Sequence, residues 1–371
     1  MWSDLDGDGT ALPAPQPSDL LMAFTTSGTT GFPKLAVHDQ AGVVRHALDD
    51  AAAFDVRPGD RMLVDLPLCG AFGFSSLLAA IGGRATTLLD ERFDPVDTAR
   101  AIASEGVTHY NASDDMLLRV MDTGLVRRGE HRWREGAFAN FTNAGRRAAE
   151  RAEDELGVRL SGVYGMSEVF ALLSRWPSSL SVDERARAGG VPVAPHIEVR
   201  VVGPDSGVVR PVGEEGELSF RGPPVLQRYL GDPDATAAAL APDGWFRSGD
   251  LGRLTADGGF EYLARLGDSL RLRGFLVDPA EIEQRLERHP AVELAQVVGV
   301  DRPGSGQVAV AFVRLASPTT EDELREHCAA GIAGFKVPER VVEVDEFPTV
   351  DGPNGTKIRK VELRDRAAAL F

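Results

Sequence analysis

Strand-like and helix-like segments alternate between residues 20 and 113, and this alternation restricts the possible folds more than any other feature of the chain. The runs LLMAF, RMLVDLPL and RATTLLD have the length and composition of buried strands. Between them, QAGVVRHALDDAAAFDV and VDTARAIASEG place apolar residues at helical spacing. Alternating strands and helices are typical of a largely parallel sheet with helices on its faces. The sequence therefore predicts an α/β fold for this region.

The pattern changes twice further along the chain. From about residue 195, HIEVRVVGP, GELSFRGP and GGFEYLARLGD read as strands separated by turn residues, which predicts a smaller β-rich subdomain. Beyond Asp268, helices and strands are mixed over roughly 100 residues, the size of an independent folding unit. We therefore predict a flexible leader over 1–19, a large domain over 20–267 and a small α+β domain over 268–371.

Two helix starts in the last domain have clear capping signals. Asp278 can accept a hydrogen bond as an N-cap, and Pro279 suits the first helical position. Glu281 stands where a capping box needs a carboxylate, and Thr320 with Glu323 repeats that spacing. The sequence thus predicts helices beginning near 279 and 321.

Composition narrows the class of protein. The formal net charge is −16, which argues against a nucleic-acid partner held through phosphate contacts. No apolar run has the length that crosses a membrane, and residues 1–18 lack the features of a signal peptide. Two cysteines cannot form a disulfide framework, so a reducing, cytoplasmic location is expected.

The stretch FTTSGTTGFPK, residues 24–34, is the first candidate site. Hydroxyl side chains, glycines that let backbone N–H groups converge and a closing lysine form a cradle for polyphosphate. The stretch does not match the P-loop pattern, and a polar surface loop is the alternative interpretation. The candidate phosphate-binding residues are Thr26, Ser27, Gly28, Thr29, Thr30, Gly31 and Lys34.

Four further stretches follow in order: VYGMSE at 163–168, GWFRSGDLG at 244–252, RLGDSLRLRGFLVDPAEIE at 265–283 and NGTKIRK at 354–360. Together with the glycine loop they closely resemble the core motifs of the adenylate-forming superfamily, in its acyl-CoA synthetase, AMP-dependent ligase branch. The resemblance covers residues from about 20 to 365. It implies ATP, Mg²⁺ and CoA as cofactors and co-substrates. The implied reaction converts a carboxylic acid to acyl-AMP with release of pyrophosphate and then transfers the acyl group to CoA.

The resemblance also implies roles for individual residues. Tyr164, with the adjacent Gly165, would lie against the adenine, and Ser167 would offer a hydroxyl near the phosphates. Glu168 would help to bind Mg²⁺, a cation that prefers oxygen ligands. Asp250 would accept hydrogen bonds from the ribose hydroxyls.

Three positions near the C-terminal domain complete the implied machinery. Arg265 would assist Asp250, and Lys357 would reach the α-phosphate and acyl oxygens, where charge develops only in the transition state. Asp268 would be the hinge on which the C-terminal domain rotates between the two half-reactions. Gly274 would lie in the loop that lines the pantetheine tunnel after that rotation.

The acyl pocket departs from the family. In DLPLCGAFGF, Cys69 and Gly70 stand where relatives have an aromatic residue and a histidine. Gly70 leaves room for a bulkier or differently oriented acid, and Cys69 is expected to be a small buried residue. The other predicted pocket residues are Asn143, Ala144, Gly145 and Met166. No acidic residue is placed to hold a substrate amine, so a fatty or aromatic acid is expected rather than an amino acid.

The front of the chain is short, because relatives usually carry a large subdomain before the glycine loop. A naturally reduced sheet, a covering homodimer or partner subunit, and a fragment of a longer product are the alternatives. Two other functions also stay open. The acyl-adenylate could pass to a carrier protein, an amine or another small nucleophile, or the chain could be an inactive partner or nucleotide-binding subunit.

Overall fold

The computed structural model describes residues 14–26, 34–142, 144–266, 269–273, 275–302, 306–352 and 355–371, without the side chains of 275–276, 350–352 and 355–357. Most of the predicted leader lies outside this description. Within the described ranges, no helix combines the length and the apolar character that crossing a bilayer requires.

The chain's first two strands form a hairpin around the glycine loop. Strand β1 (Leu20–Thr25) pairs antiparallel with β2 (Leu35–Asp39), with Thr25 opposite Leu35. The expectation of a buried strand at LLMAF is wrong, because Leu20 and Leu21 are 43% and 49% exposed and only Phe24 is buried. The apolar run was misleading because the strand lies at the edge of a small separate sheet.

The predicted alternation builds the parallel half of a large sheet. Strands β4, β3, β5, β7 and β8 pair in parallel in that order, and β6 also pairs in parallel with β7. The elements are α1 (Gln40–Ala53), β3 (Arg61–Val64), α2 (Ala71–Gly82), β4 (Thr86–Leu89), α3 (Pro95–Ser104), β5 (His109–Tyr110), β6 (Ala112–Ser113), α4 (Asp114–Asp122), β7 (Glu135–Ala139), α5 (Gly145–Arg151) and β8 (Arg159–Tyr164). The predicted α/β fold class is confirmed.

The β-rich region continues the same sheet from β8 onward. Its strands add antiparallel to the edge of the parallel half, in the order β8, β9, β10, β15, β14, β12, β11, while β13 pairs with β2 of the hairpin. The elements are β9 (Ser174–Arg175), α6 (Val182–Arg185), β10 (Gly189–Pro192), β11 (Glu198–Val202), β12 (Glu215–Arg221), β13 (Arg228–Tyr229), α7 (Pro233–Ala239), β14 (Phe246–Leu254) and β15 (Phe260–Arg265). Nothing in the strand patterns indicated that the two regions share one sheet.

The remaining chain forms its own sheet. Between Arg265 and Leu270 the chain passes from the large sheet to the sheet of β16, β17, β18, β19 and β20. The elements are β16 (Leu270–Leu272), β17 (Phe275–Val277), α8 (Pro279–Glu287), β18 (Val292–Arg302), β19 (Gly306–Leu315), α9 (Glu321–Ala329), β20 (Arg340–Glu343), β21 (Thr349–Gly352), β22 (Gly355–Ile358) and α10 (Lys360–Ala368). Its apolar residues form cores distinct from those of the large sheet.

The predicted helix starts are confirmed, with one difference. Thr320 and Glu323 form the reciprocal capping box at α9. At α8, Asp278 accepts from the Ala280 N–H and Pro279 occupies the first turn, but Glu281 bonds to Lys336 at 2.5 Å. Glu281 therefore pairs with Lys336 and does not complete a capping box at the start of α8.

Candidate active site

A pocket of about 260 Å³ lies where the hairpin, the segment after β8 and the ends of β14 and β15 meet. Four predicted site residues line it together, namely Lys34, Met166, Glu168 and Arg265. Tyr229 and the short helix α7 form the opposite wall. Residues as far apart in sequence as Lys34 and Arg265, 231 positions, thus line one cavity. This cavity contains cationic side chains as well as a carboxylate.

Glu168 is the central anion of this pocket. Its side chain is 6% exposed, and Oε1 accepts a hydrogen bond from the Tyr229 hydroxyl at 3.0 Å. Burial raises the pKa of Glu168 above its ordinary value, whereas the Tyr229 hydrogen bond and the charge of Arg265 act in the opposite direction. A hydrogen bond from the backbone of Glu168 itself also favours the ionised form. A buried carboxylate that lines a pocket in this way is a suitable ligand for a bound cation.

The donor set fits Mg²⁺ delivered with phosphates. Mg²⁺ is commonly held by one or two carboxylates together with substrate phosphates, rather than by an all-protein cage. The described residues contain no cluster of three or more His, Cys, Asp or Glu that could hold a metal. Lys34, whose Nζ lies 4.9 Å from the centre of the Tyr229 ring, and Arg265 supply positive charge at the same pocket. The arrangement is therefore suited to a polyanion that brings its own divalent cation.

Asp250 is held from two sides next to this pocket. The Tyr164 hydroxyl donates to Oδ2 at 2.6 Å, and the Arg265 Nη1 donates to Oδ1 at 2.7 Å. Burial raises the pKa of Asp250, and both partners oppose that effect by stabilising the carboxylate. Strands β14 and β15 place Asp250 directly opposite Arg265. The structure thus brings together Tyr164, Asp250 and Arg265, which the motifs predicted as nucleotide contacts.

The Tyr164 ring is part of the core as well. It is 7% exposed and packs against Phe220 and Phe260 with ring centres 5.4 and 5.2 Å apart. Contact with an adenine stays a prediction for this residue.

The segment after Tyr164 has an unusual backbone. Phe170 and Ala171 adopt left-handed conformations, with φ of 61° and 55°. Such conformations are costly for residues with a side chain and persist where the surroundings enforce them. The turn is fixed by Ser167, whose Oγ donates to the Thr25 carbonyl at 3.2 Å, and by His38, whose Nε2 lies 2.8 Å from the Ser167 carbonyl. This ties the glycine hairpin to the Glu168 turn.

His38 is neutral when it makes that contact. Burial lowers its pKa to about 4, although the bond to the Ser167 carbonyl acts in the opposite direction. A carbonyl only accepts, so Nε2 must carry the proton of the neutral ring. A neutral histidine therefore positions the turn without adding charge to the phosphate side of the site.

We expect Gly165→Ala to lower the free energy of unfolding by about 1–3 kcal/mol and to reduce ATP binding. A Cβ at residue 165 would lie 2.4 Å from the Ala171 carbonyl carbon and 2.8 Å from the Leu172 nitrogen, and backbone atoms cannot rotate away. Urea unfolding and ATP titration would measure both effects. Gly334→Ala is the control, because nothing lies within 4 Å of its added Cβ. Equal behaviour of the two variants would contradict this interpretation.

Several predicted positions lie outside the described residues. These are Ser27, Gly28, Thr29, Thr30, Gly31, Asn143, Asp268, Gly274 and the side chain of Lys357. The ends of the glycine loop are described, and the Thr26 N–H donates to the Lys34 carbonyl at 2.8 Å. The loop therefore begins and ends at one point beside the Glu168 pocket.

Of the predicted acyl-pocket residues, Met166 lines the Glu168 pocket, whereas Cys69, Gly70, Ala144 and Gly145 lie at helices of the parallel half of the sheet. Gly70 is the N-cap of α2, and Ala144 with Gly145 begins α5. The expectation that Cys69 is buried is wrong, because its side chain is exposed in the turn that precedes α2. The size of a side chain does not determine its burial, and here the core is formed by residues of α2, which follows Cys69.

Sequence reasoning missed Tyr229 and Glu217. Tyr229 lies in a two-residue strand within VLQRYLGDP, where no pattern marks it. Glu217 is 3% exposed and accepts from the Gly249 N–H at 3.1 Å while pairing with Arg247. The alternating pattern of GELSF predicted a strand. It did not indicate that the Glu217 carboxylate accepts from the backbone of β14 directly before Asp250.

Comparison with known proteins was made at the level of families, sequences and structures. The model of the family "AMP-binding enzyme" matches residues 3–230, and that of the "AMP-binding enzyme C-terminal domain" matches residues 281–351. A Bacillus subtilis protein named "Putative acyl-CoA synthetase YngI" is 30% identical over 93% of this chain and 63% of its own length. A feruloyl-CoA synthase from an Amycolatopsis species is 32% identical over 94% of this chain and 70% of its own length.

A solved structure gives the same result. The O-succinylbenzoate coenzyme A synthetase MenE from Bacillus subtilis, in complex with ATP and a magnesium ion, is 28% identical, with a TM-score of 0.79 over 90% of this chain and 68% of its own. The chain thus spans about two thirds of the length of these relatives. With the family model covering more than half of the chain, the resemblance seen in the motifs is confirmed: the chain belongs to the AMP-binding enzyme family, among relatives that are acyl-CoA synthetases and CoA ligases.

Proposed function

We propose that this chain activates a carboxylic acid with ATP and transfers the resulting acyl group to CoA. In the first step a carboxylate oxygen of the acid attacks the α-phosphorus of ATP, and the bond to the β-phosphate breaks to release pyrophosphate. In the second step the CoA thiolate attacks the acyl carbon, and AMP leaves with the electrons of the acyl–oxygen bond. The acid, ATP and CoA are the substrates.

The observation that carries this proposal is the pairing of two fixed carboxylates in one site. Asp250, held by Tyr164 and Arg265, presents acceptors where ribose hydroxyls would bind. Glu168, bonded to Tyr229, lines the pocket together with the cationic side chains of Lys34 and Arg265. Bound Mg²⁺ would offset phosphate charge there and orient the leaving pyrophosphate. A sugar-binding carboxylate beside a metal-binding carboxylate suits a nucleoside polyphosphate better than a simple anion.

The remaining residues would position the reactants. Lys34 and the hydroxyls of the glycine loop, from Thr26 onward, would hold the β- and γ-phosphates as charge moves onto the leaving group. Ser167, fixed to the Thr25 carbonyl, would lie beside them. The turn at Cys69 and Gly70 and the loop around Asn143, Ala144 and Gly145, with Met166 between the two sites, would form the acyl pocket.

We expect Asp250→Asn to weaken ATP binding roughly tenfold or more, because a charge-assisted hydrogen bond contributes about 1.5–3 kcal/mol. The amide cannot accept on both of its polar atoms, so either Arg265 or the ribose loses a partner. Calorimetric titration with ATP would measure the change. Asp257→Asn is the control, since Asp257 accepts from Thr255 and Gly259 in a turn distant from the pocket. Unchanged ATP affinity in Asp250→Asn would mean that the ribose assignment is wrong.

The proposed activity is tested by acid-dependent pyrophosphate release from Mg-ATP, with hydroxylamine as the trap and a panel of fatty, aryl and amino acids. Release with one class of acid would support the proposal and name the substrate class. Stimulation of AMP release by CoA, by a carrier-protein phosphopantetheine or by an amine would then identify the acceptor. ATP binding without release for every acid would favour the inactive or nucleotide-binding alternative.

The C-terminal domain is proposed to act as the lid for the first half-reaction in the arrangement seen here. The Cα atoms of β22, the strand that contains Lys357, approach those of α4 within 8 Å. Rotation about Asp268 would replace this contact with the Gly274 loop for the second half-reaction.

We further propose that the chain associates in solution, as a homodimer or with a partner subunit. Val44 and Leu48 on α1 are 58% and 51% exposed, and Leu20 and Leu21 are exposed on β1, which contacts α1. Exposed apolar side chains of this kind favour association. Light scattering after size exclusion tests it. With two free cysteines, a cytoplasmic location is proposed as well, and cell fractionation tests that.

A further inference from the structure

Asp114 collects an unusual number of hydrogen bonds for a side chain outside the nucleotide pocket. It is the first residue of α4, follows the short strand β6 at the carboxyl edge of the parallel strands, and is fully buried. Its two oxygens accept from the backbone N–H groups of Phe141, Thr142 and Ala144, at 3.1, 3.0 and 2.9 Å. The Thr142 hydroxyl adds a bond of 2.9 Å. The Asp115 N–H of α4 also donates to Oδ1 at 3.1 Å, and the other donors belong to one short loop between β7 and α5.

The geometry requires a carboxylate at this position. Every donor of the loop points at an acceptor, and an ionised carboxylate is the only common side chain with acceptors on both polar atoms. No Lys or Arg in the described ranges forms an ion pair with Asp114, so its charge is balanced by N–H dipoles and by the start of α4. The cost of burying this charge is therefore offset by the conformation of the loop itself.

The backbone on the α5 side of the loop is fixed by a second side chain. Asn140 Oδ1 accepts from the Gly145 N–H at 3.0 Å, and a Cβ on Gly145 would lie 2.4 Å from the Phe138 ring. Ala144, the N-cap of α5, makes no side-chain cap. Asp114 is thus the side chain that the backbone N–H groups of residues 141, 142 and 144 share as an acceptor.

We propose that Asp114 is the positioning residue of the acyl pocket: it sets the backbone of residues 141, 142 and 144 and thereby the affinity for the carboxylic acid. The proposal rests on the proposed function, since that loop is assigned to the acid only by it. Asp114 does not touch the nucleotide residues Glu168, Asp250 or Arg265. Its removal should therefore separate acid binding from ATP binding.

The test is Asp114→Asn, assayed by pyrophosphate release with acid and ATP varied in turn. We expect KM for the acid to rise roughly tenfold or more and KM for ATP to change less than about twofold, because the bonds lost are charge-assisted and lie only at the loop. Thr142→Val, which removes one donor and leaves the backbone bonds, should raise KM for the acid by a smaller factor. The control is Asp94→Asn, since Asp94 also accepts two backbone N–H groups, from Val96 and Asp97, at the start of α3.

Amide hydrogen exchange provides a readout that does not need activity. Asp114→Asn should accelerate exchange at residues 141, 142 and 144, whereas Asp94→Asn should not. Equal increases in KM for acid and ATP, or unchanged exchange in the loop, would overturn the proposal. If Asp114→Asn does not fold, Thr142→Val with no effect on acid KM or on exchange at 144 would overturn it. If wild-type protein releases no pyrophosphate with any acid, the proposed function fails, while the exchange result still decides whether Asp114 sets the loop.

Discussion

Replacing Lys357 by alanine is expected to slow acyl-AMP formation by about 10²–10³-fold while thioester formation from supplied acyl-AMP stays nearly unchanged. A cation that contacts the α-phosphate and the acyl oxygens stabilises charge that develops only in the first transition state. The backbone of β22 supports such a contact, because this strand lies beside α4, whose first residue, Asp114, accepts from the backbone N–H groups of residues 141, 142 and 144. Lys357 pairs in the hairpin with Val350, so its strand has a defined partner.

The two half-reactions are measured separately, as pyrophosphate release and as CoA-dependent AMP release from purified acyl-AMP. Lys360→Ala is the matched control, three positions further along, where Nζ lies 3.2 Å from Glu283. That variant should leave both rates near wild type. Equal loss of both half-reactions in Lys357→Ala would refute the role proposed for this lysine.

Glu168→Gln is expected to reduce Mg-ATP turnover about 10²-fold or more, since a metal ligand at the leaving phosphates stabilises several kcal/mol of transition-state charge. Tyr229→Phe keeps the Glu168 carboxylate but removes the hydrogen bond to Oε1. Loss of this bond makes the ionised form of Glu168 less stable. It should therefore lower the apparent Mg²⁺ affinity by a smaller factor than Glu168→Gln. Pyrophosphate release at varied Mg²⁺ measures both.

The pH dependence of Glu168→Gln follows from the raised pKa of Glu168. Because the folded state binds this proton more tightly than the unfolded chain does, the carboxylate reduces stability as pH rises from its ordinary pKa of 4.5 through the higher folded value. In the absence of Mg-ATP, Glu168→Gln should remove this decrease in the free energy of unfolding with rising pH. The variant should also lack the increase in turnover that deprotonation of the Glu168 carboxyl group gives in the wild type. Glu283→Gln, at a residue 3% exposed in the C-terminal domain, is the burial-matched control. A Glu168→Gln protein that keeps wild-type Mg²⁺ dependence would contradict the metal assignment.

The fold class was predictable because local patterns carry it. Period and length marked the strands and helices around Arg61–Val64 and Ala71–Gly82, and capping residues marked the helix that begins at Glu321. The exposure of β1 and Cys69 was not predictable, because burial depends on which elements pack above a segment. For the same reason, the sequence did not predict that the parallel strands and the β-rich region share one sheet. The two regions are joined by pairing between β8 and β9.

The candidate site divides in the same way. Glu168, Asp250 and Arg265 were found because ordered motifs surround them, and the structure places them within one pocket or beside it. Tyr229, Glu217 and Asp114 act through hydrogen bonds to residues distant in sequence, and no local spacing distinguishes such residues from ordinary core or surface positions. Only tertiary contacts reveal them.

The single sheet that joins the parallel and antiparallel halves has a consequence for how such enzymes diversify. The proposed acid contacts lie at the starts of α2 and α5, which pack on the parallel half of the sheet. Asp250 and Arg265 belong to strands of the antiparallel half. We therefore expect changes in one half to have little effect on the other where they avoid the contacts that join the halves, such as the Tyr164–Asp250 hydrogen bond and the turn at Ser167 and Glu168. On this proposal, mutations around α2, α4 and α5 would alter the choice of acid and leave nucleotide binding unchanged. Libraries for altered acid specificity should accordingly vary those elements and leave β14 and β15 unchanged.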